Sequence, residues 1–124
     1  MTIQTLPFSF TVCKVRDATC VDATKPFTFA AVTDAEVSLV CQTAFAPTET
    51  VAREDGWRAF RVKGSMEFGL VGVLARLTGV LAARSIPVFA VSTFDTDYVL
   101  VKAERFDDAV LALRGEGIEA EAWR

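Results

Sequence analysis

The stretch EFGLVGVLARLTGVLAARSIPVFAVSTFDTDYVLV, Glu67–Val101, decides the fold. Leu70, Val73, Leu74, Leu77, Val80 and Leu81 recur at the three- and four-residue steps of a helix with one apolar stripe. Gly72 and Gly79 weaken that helix by about 1 kcal/mol each relative to alanine. Their missing side chains let it lie close to a sheet. Pro87 ends the element, and Val88–Thr93 and Tyr98–Lys102 read as two apolar strands. The loop between them carries two carboxylates, Asp95 and Asp97. A glycine-opened helix start offers unpaired backbone N–H groups to an anion, and a nearby carboxylate accepts an ammonium. The pair suits a free amino acid, which carries one charge of each sign.

Downstream, Arg105–Arg114 reads as a second helix with Phe106, Ala109, Val110 and Leu113 inward; Gly115 and Gly117 stop it before a last strand, Ile118–Ala122. Upstream, Trp57–Val62 reads as a strand and Lys63–Gly69 as a loop. The second half is therefore β-α-β-β-α-β, the ferredoxin-like order. In the first half, Pro7–Val15 alternates, with Phe8, Phe10 and Val12 on one face and Ser9, Thr11 and Cys13 on the other. Phe27–Thr33 and Glu36–Gln42 form a hairpin, the latter with Val37, Leu39 and Cys41 on one face. Thr43–Gly56 is irregular, with a short strand near Val51 and a turn at Asp55-Gly56. This is the same order with both helices reduced. The expected architecture is α+β: two ferredoxin-like βαββαβ modules in tandem, residues 1–56 and 57–124.

At 124 residues, the chain has room for one compact domain or two very small ones. Its 52% hydrophobic and 23% charged content is that of a folded protein rather than a disordered one. A net charge of −3 and scattered basic residues argue against nucleic acid as a partner. Met1–Leu6 lacks the pattern of a signal peptide, and no uncharged apolar run reaches the roughly 18 residues that cross a bilayer. A cytoplasmic location, with no membrane partner, is expected. Cys13, Cys20 and Cys41 have no CxxC spacing and read as free thiols in strands. The chain contains no histidine, which removes Ser-His-Asp and Cys-His catalysis and histidine metal sites. With no P-loop or Rossmann glycine pattern either, neither catalysis nor a cofactor is expected.

On three segments the chain resembles a known family: GWRAFRV at Gly56–Val62, FGLVGVLARL at Phe68–Leu77, and IPVFAVSTFDTDYVLV at Ile86–Val101. Residues 57–122 resemble an ACT domain, and the whole chain resembles small bacterial tandem-ACT proteins related to the CASTOR-type arginine sensors. The resemblance implies a regulatory module that binds a free amino acid where ACT domains meet. The ligand carboxylate would be held at the first helix start, by Glu67, Phe68, Gly69, Leu70, Val71 and Gly72. Thr93, Phe94 and Asp97 of the hairpin would line the pocket. The chain is about half the length of those sensors, so a four-module array implies a homodimer. No catalytic or DNA-binding domain is expected to be attached, and output would go through a protein target. A ligand-free assembly module is the main alternative. A small enzyme using Asp95 and Asp97 as an acid/base pair is the lesser one.

Overall fold

A computed structural model describes residues 1–63 and 72–124. The chain resolves into two units. One is Phe8–Trp57, and the other joins Met1–Pro7 to Arg58–Arg124. The sequence reading places Met1–Pro7 in the N-terminal module. In the structure these residues contribute a strand, β1 (Thr2–Thr5), to the C-terminal unit.

The Phe8–Trp57 unit contains β2 (Phe10–Val15), β3 (Phe29–Val32), β4 (Val37–Gln42) and the first half of β5 (Ala52–Val62). Their order is β3-β4-β2-β5, with each neighbouring pair antiparallel. That is the ferredoxin-like arrangement, and both helix positions are reduced to single 3-10 turns, Ala18–Cys20 and Thr43–Phe45. The expected turn at Asp55-Gly56 is not a turn. It lies inside β5, where Phe10 pairs with Trp57 but Val12 pairs with Glu54, so β5 carries one extra residue. Gly56 supplies the left-handed backbone, φ 83°, that such a bulge requires.

Burial along β2 does not follow one face. Phe10 is fully buried, in keeping with the alternation of Phe8, Phe10 and Val12, but Phe8 and Val12 are half-buried. Cys13 and Val15 pack with Leu39 and Cys41. Thr11, opposite the bulge, is fully buried because its hydroxyl is satisfied: it donates to Asp55 Oδ1 at 2.6 Å and lies 2.9 Å from Thr43 Oγ1.

The other unit contains β1, the second half of β5, α1 (Val73–Ala83), β6 (Phe89–Ser92), β7 (Asp97–Lys102), α2 (Phe106–Gly115) and β8 (Glu119–Ala122). Strand order is β6-β7-β5-β1-β8, with β1 antiparallel to β5 and parallel to β8. Ile3, Phe60, Val62, Val99 and Val101 face the core with Leu77 and Leu81 of α1 and Phe106, Ala109 and Leu113 of α2. Of the helical stripe read from the sequence, Leu77 and Leu81 are buried and Val73, Leu74 and Val80 are partly buried against the same core; its first member, Leu70, lies outside the described residues.

Both helices end in the same way. Ile86 N–H returns to Leu81 O and Ser85 N–H to Ala82 O; Ile118 N–H returns to Leu113 O and Gly117 N–H to Arg114 O. This Schellman pattern needs a left-handed residue after the helix. Gly117 fills that place at φ 81°, but at α1 it is Ser85, at φ 55°. Ser85→Gly removes a side-chain clash while loosening the unfolded chain. It is expected to raise stability by about 0.5–1 kcal/mol, seen as a higher urea midpoint with unchanged slope.

The two hairpins repeat at an offset of sixty residues, as their registers show: Phe29 pairs with Val40 as Phe89 does with Leu100, and Val32 with Val37 as Ser92 does with Asp97. Each turn is closed by a threonine. Thr33 N–H donates to Glu36 O at 2.9 Å, and Thr93 N–H to Thr96 O at 2.8 Å.

Candidate functional site

The β6–β7 turn and β5 meet at one end of the C-terminal unit. The Thr96 hydroxyl donates to Val62 O at 2.9 Å, so the β6–β7 turn sits over the C-terminal end of β5. The helix α1 runs into β6 through Arg84–Val88. Gly72 caps it with left-handed φ 84°, and its carbonyl accepts the first helical bond from Arg76 N–H at 2.8 Å. Glu67, Phe68, Gly69, Leu70 and Val71 lie outside the described residues.

On the sheet face opposite the helices, an open hollow of about 310 Å³ is lined by Gln4, Arg61, Val62, Thr93, Asp95, Thr96 and Tyr98. Small-molecule sites begin at about 300 Å³. The hollow follows from strand alternation. Ile3, Phe60 and Val62 turn to the core, so Gln4 and Arg61, paired in register, turn the other way. Arg61 Nε donates to Gln4 Oε1 at 3.0 Å and Arg61 Nη1 to Tyr98 Oη at 3.0 Å. Gln4 in turn reaches Glu121 Oε1 at 3.4 Å, and Lys63 Nζ lies 2.8 Å from the same oxygen. The Lys63 ammonium holds the Glu121 carboxyl below the usual carboxylate range. Asp95 and Thr93 form the rim on the turn, which Thr93 Oγ1 locks by donating to Thr96 O at 3.0 Å. The site thus sets an oriented, planar cation beside a rim carboxylate.

Of the hairpin residues read from the sequence, Thr93 lines this hollow. Phe94 is 81% exposed at the turn tip. Asp97 is buried, and its Oδ1 accepts from Ser92 Oγ at 2.6 Å, directly across the ladder. It alternates with Val99 and Val101 and so lies on the helix side, whereas Asp95 borders the opposite face. The two carboxylates do not converge on a common point as an acid/base pair would. The sequence reading does not include Arg61 or Gln4 among the ligand contacts and takes Tyr98 as a core or interface aromatic first. The available signal was a basic residue between Phe60 and Val62 in an alternating strand.

A larger hollow, about 450 Å³, runs along β8 past Thr2, Arg114, Glu119 and Glu121. Its arginine is used structurally, with Arg114 Nη2 donating to Ala120 O at 3.1 Å. Among the described residues no group of three or more Cys, Asp or Glu is placed to hold a metal ion. No described helix is long and apolar enough to cross a membrane.

The thiols lie in the other unit. Burial pushes the Cys41 thiol up to about 11, with Cys13 nearby adding to it, and burial also raises Cys13. Neither is a nucleophile at neutral pH. Because the folded value exceeds the ordinary 9.0, this contribution to stability is intact below about pH 9 and lost as pH rises through 11. Timed thiol titration of the native protein is expected to label half-exposed Cys20 first, with Cys13 and Cys41 reacting only on unfolding.

Residues 52–115, more than half of the chain, match the ACT domain family model. The chain belongs to the ACT domain family. Its fold is shared with Atu0741 from Agrobacterium tumefaciens, at 24% identity over 99% of this chain and 93% of that one, TM-score 0.86. Aspartate kinase of Clostridium acetobutylicum matches at 14% identity over 91% of this chain and 33% of the enzyme, TM-score 0.64. The regulatory subunit of aspartate kinase from Thermus thermophilus matches at 11% identity over 93% and 96%, TM-score 0.64. At such identities the likeness is one of fold. In this ACT protein the family match takes in Arg61, Thr93, Asp95, Thr96 and Tyr98 of the hollow, while Gln4 comes from β1, outside it.

Proposed function

We propose that this protein is a non-catalytic regulatory module that binds a free amino acid in the hollow between β1, β5 and the β6–β7 turn, and passes the signal to a protein target. The observation that carries the proposal is Arg61, held by Gln4 and Tyr98 at the hollow with Asp95 on its rim. The guanidinium fork matches a carboxylate in two-point contact. Asp95 takes the ammonium, a role that the sequence alone suggested for Asp97. Membership of the ACT family, and a fold in common with an aspartate kinase regulatory subunit, support a regulatory role. The resemblance to the CASTOR-type arginine sensors supports a free amino acid as ligand.

A thermal-shift screen of the whole protein against the twenty amino acids tests this. A ligand at a hundred times its dissociation constant adds about 2.7 kcal/mol, a shift of several degrees in a chain of this size. No shift with any of them would favour the ligand-free assembly module instead.

A further inference from the structure

We propose that Glu121, on the edge strand β8, is a positioning residue for Arg61: through the Gln4 amide it holds the guanidinium that the hollow presents. The inference rests on the amino-acid reading of that hollow and adds to it a residue outside its lining. Arg61, Gln4 and Glu121 form one row across three strands. Gln4 of β1 is in register with Arg61 of β5 on one side and with Glu121 of β8 on the other. Neighbouring strands lie about 4.8 Å apart, so Glu121 stands two strand spacings from Arg61 and acts on it through Gln4.

The hydrogen bonds along the row run in one direction. Arg61 Nε donates to Gln4 Oε1 at 3.0 Å, and Gln4 Nε2 donates to Glu121 Oε1 at 3.4 Å. A primary amide accepts at one branch and donates at the other; a guanidinium only donates and a carboxylate only accepts. Together the two charged groups fix which way the Gln4 amide faces. Turned over, it would set N–H against N–H at Arg61 and oxygen against oxygen at Glu121. Lys63 secures the acceptor: its Nζ lies 2.8 Å from the same Glu121 oxygen, so this ion pair passes over β1 and keeps the carboxylate at the row. The guanidinium is thereby held at Nε by Gln4 and at Nη1 by Tyr98. If the Gln4 tie slackens, a carboxylate ligand must order the arginine on binding, which costs affinity. Gln4 and Glu121 both lie outside residues 52–115, which match the ACT model, so this support comes from β1 and β8.

The test compares Glu121→Ala with Glu119→Ala in the whole nitrogen-15-labelled chain. Glu119 is the carboxylate two residues earlier on β8, and its Oε2 accepts from Thr2 Oγ1 at 3.3 Å. In the ligand-free protein, Glu121→Ala is expected to shift the Arg61 Nε–Hε resonance and to speed its exchange with water, whereas Glu119→Ala leaves both unchanged. Glu121→Gln is expected to bring the resonance back toward wild type, because its amide oxygen accepts the Gln4 N–H. In calorimetric titration with an amino acid that binds wild type, Glu121→Ala is expected to weaken binding by about threefold to tenfold, the range of one ordinary hydrogen bond. An Arg61 resonance indifferent to Glu121→Ala, or one that Glu119→Ala moves equally, would overturn the proposal. So would unchanged affinity in Glu121→Ala for a ligand that Arg61→Gln binds poorly. A resonance that responds to Glu121 alone, in a protein that binds no amino acid, would support the positioning and contradict only the reading of the hollow.

Discussion

Arg61→Gln is expected to weaken amino-acid binding by about tenfold to a hundredfold in a calorimetric titration. A hydrogen bond to a charged group contributes about 1.5–3 kcal/mol, and each 1.4 kcal/mol is a factor of ten in affinity. Glutamine stays polar but is shorter, and it loses the charge, the fork and the Nη1 donor to Tyr98 at the hollow. Arg61→Lys is expected to recover only part of the affinity, because a point charge cannot make the two-point contact. Arg16→Gln serves as the control. Arg16 is exposed in the other unit, paired with Asp17 at 3.2 Å, and its loss is expected to leave affinity unchanged. Equal loss in both variants would point to net charge rather than a site.

Leu113→Ala is expected to destabilise the protein by about 2–5 kcal/mol, while Leu111→Ala, two residues away on the same helix, is expected to stay within about 0.5 kcal/mol. The two substitutions delete the same atoms. Leu113 is fully buried among Ile3, Phe60, Leu81 and Ile118, and its carbonyl receives the Ile118 N–H that ends α2. Leu111 is 65% exposed. Since a domain of this kind has only about 5–15 kcal/mol of net stability, the first change is expected to remove a large fraction of it. Urea unfolding with a common slope measures the difference. A similar midpoint for both variants would contradict the placement of α2 against this core.

The helices and hairpins were legible because their patterns are local. The stripe from Val73 to Leu81 repeats within a few residues, and Phe89–Ser92 faces Asp97–Lys102 across a four-residue turn. Strand β1 was not legible. It has four residues and one fully buried side chain, and it pairs with β5 and β8 across most of the chain. That pairing also hid one member of the candidate site, since Gln4 meets Arg61 only when β1 is in register. The Asp55-Gly56 pair has turn chemistry, and only the mismatch between Phe10–Trp57 and Val12–Glu54 shows it to be a bulge. The placement of Asp97 turned on one residue of strand boundary. Starting β7 at Asp97 instead of Tyr98 sets Asp97 in phase with buried Val99 and Val101, on the helix side.

The measurement that bears most directly on the binding claim is the amide spectrum of the uniformly nitrogen-15-labelled protein during titration with each amino acid. The account predicts that at least one of them moves the resonances of Gln4, Arg61, Thr93, Asp95, Thr96 and Tyr98. The equivalent turn of the other unit, Thr33–Glu36, is predicted to stay still. Titrations in which no amino acid moves these resonances at millimolar concentration, or in which the changes fall elsewhere and leave Arg61 and Tyr98 untouched, would contradict it.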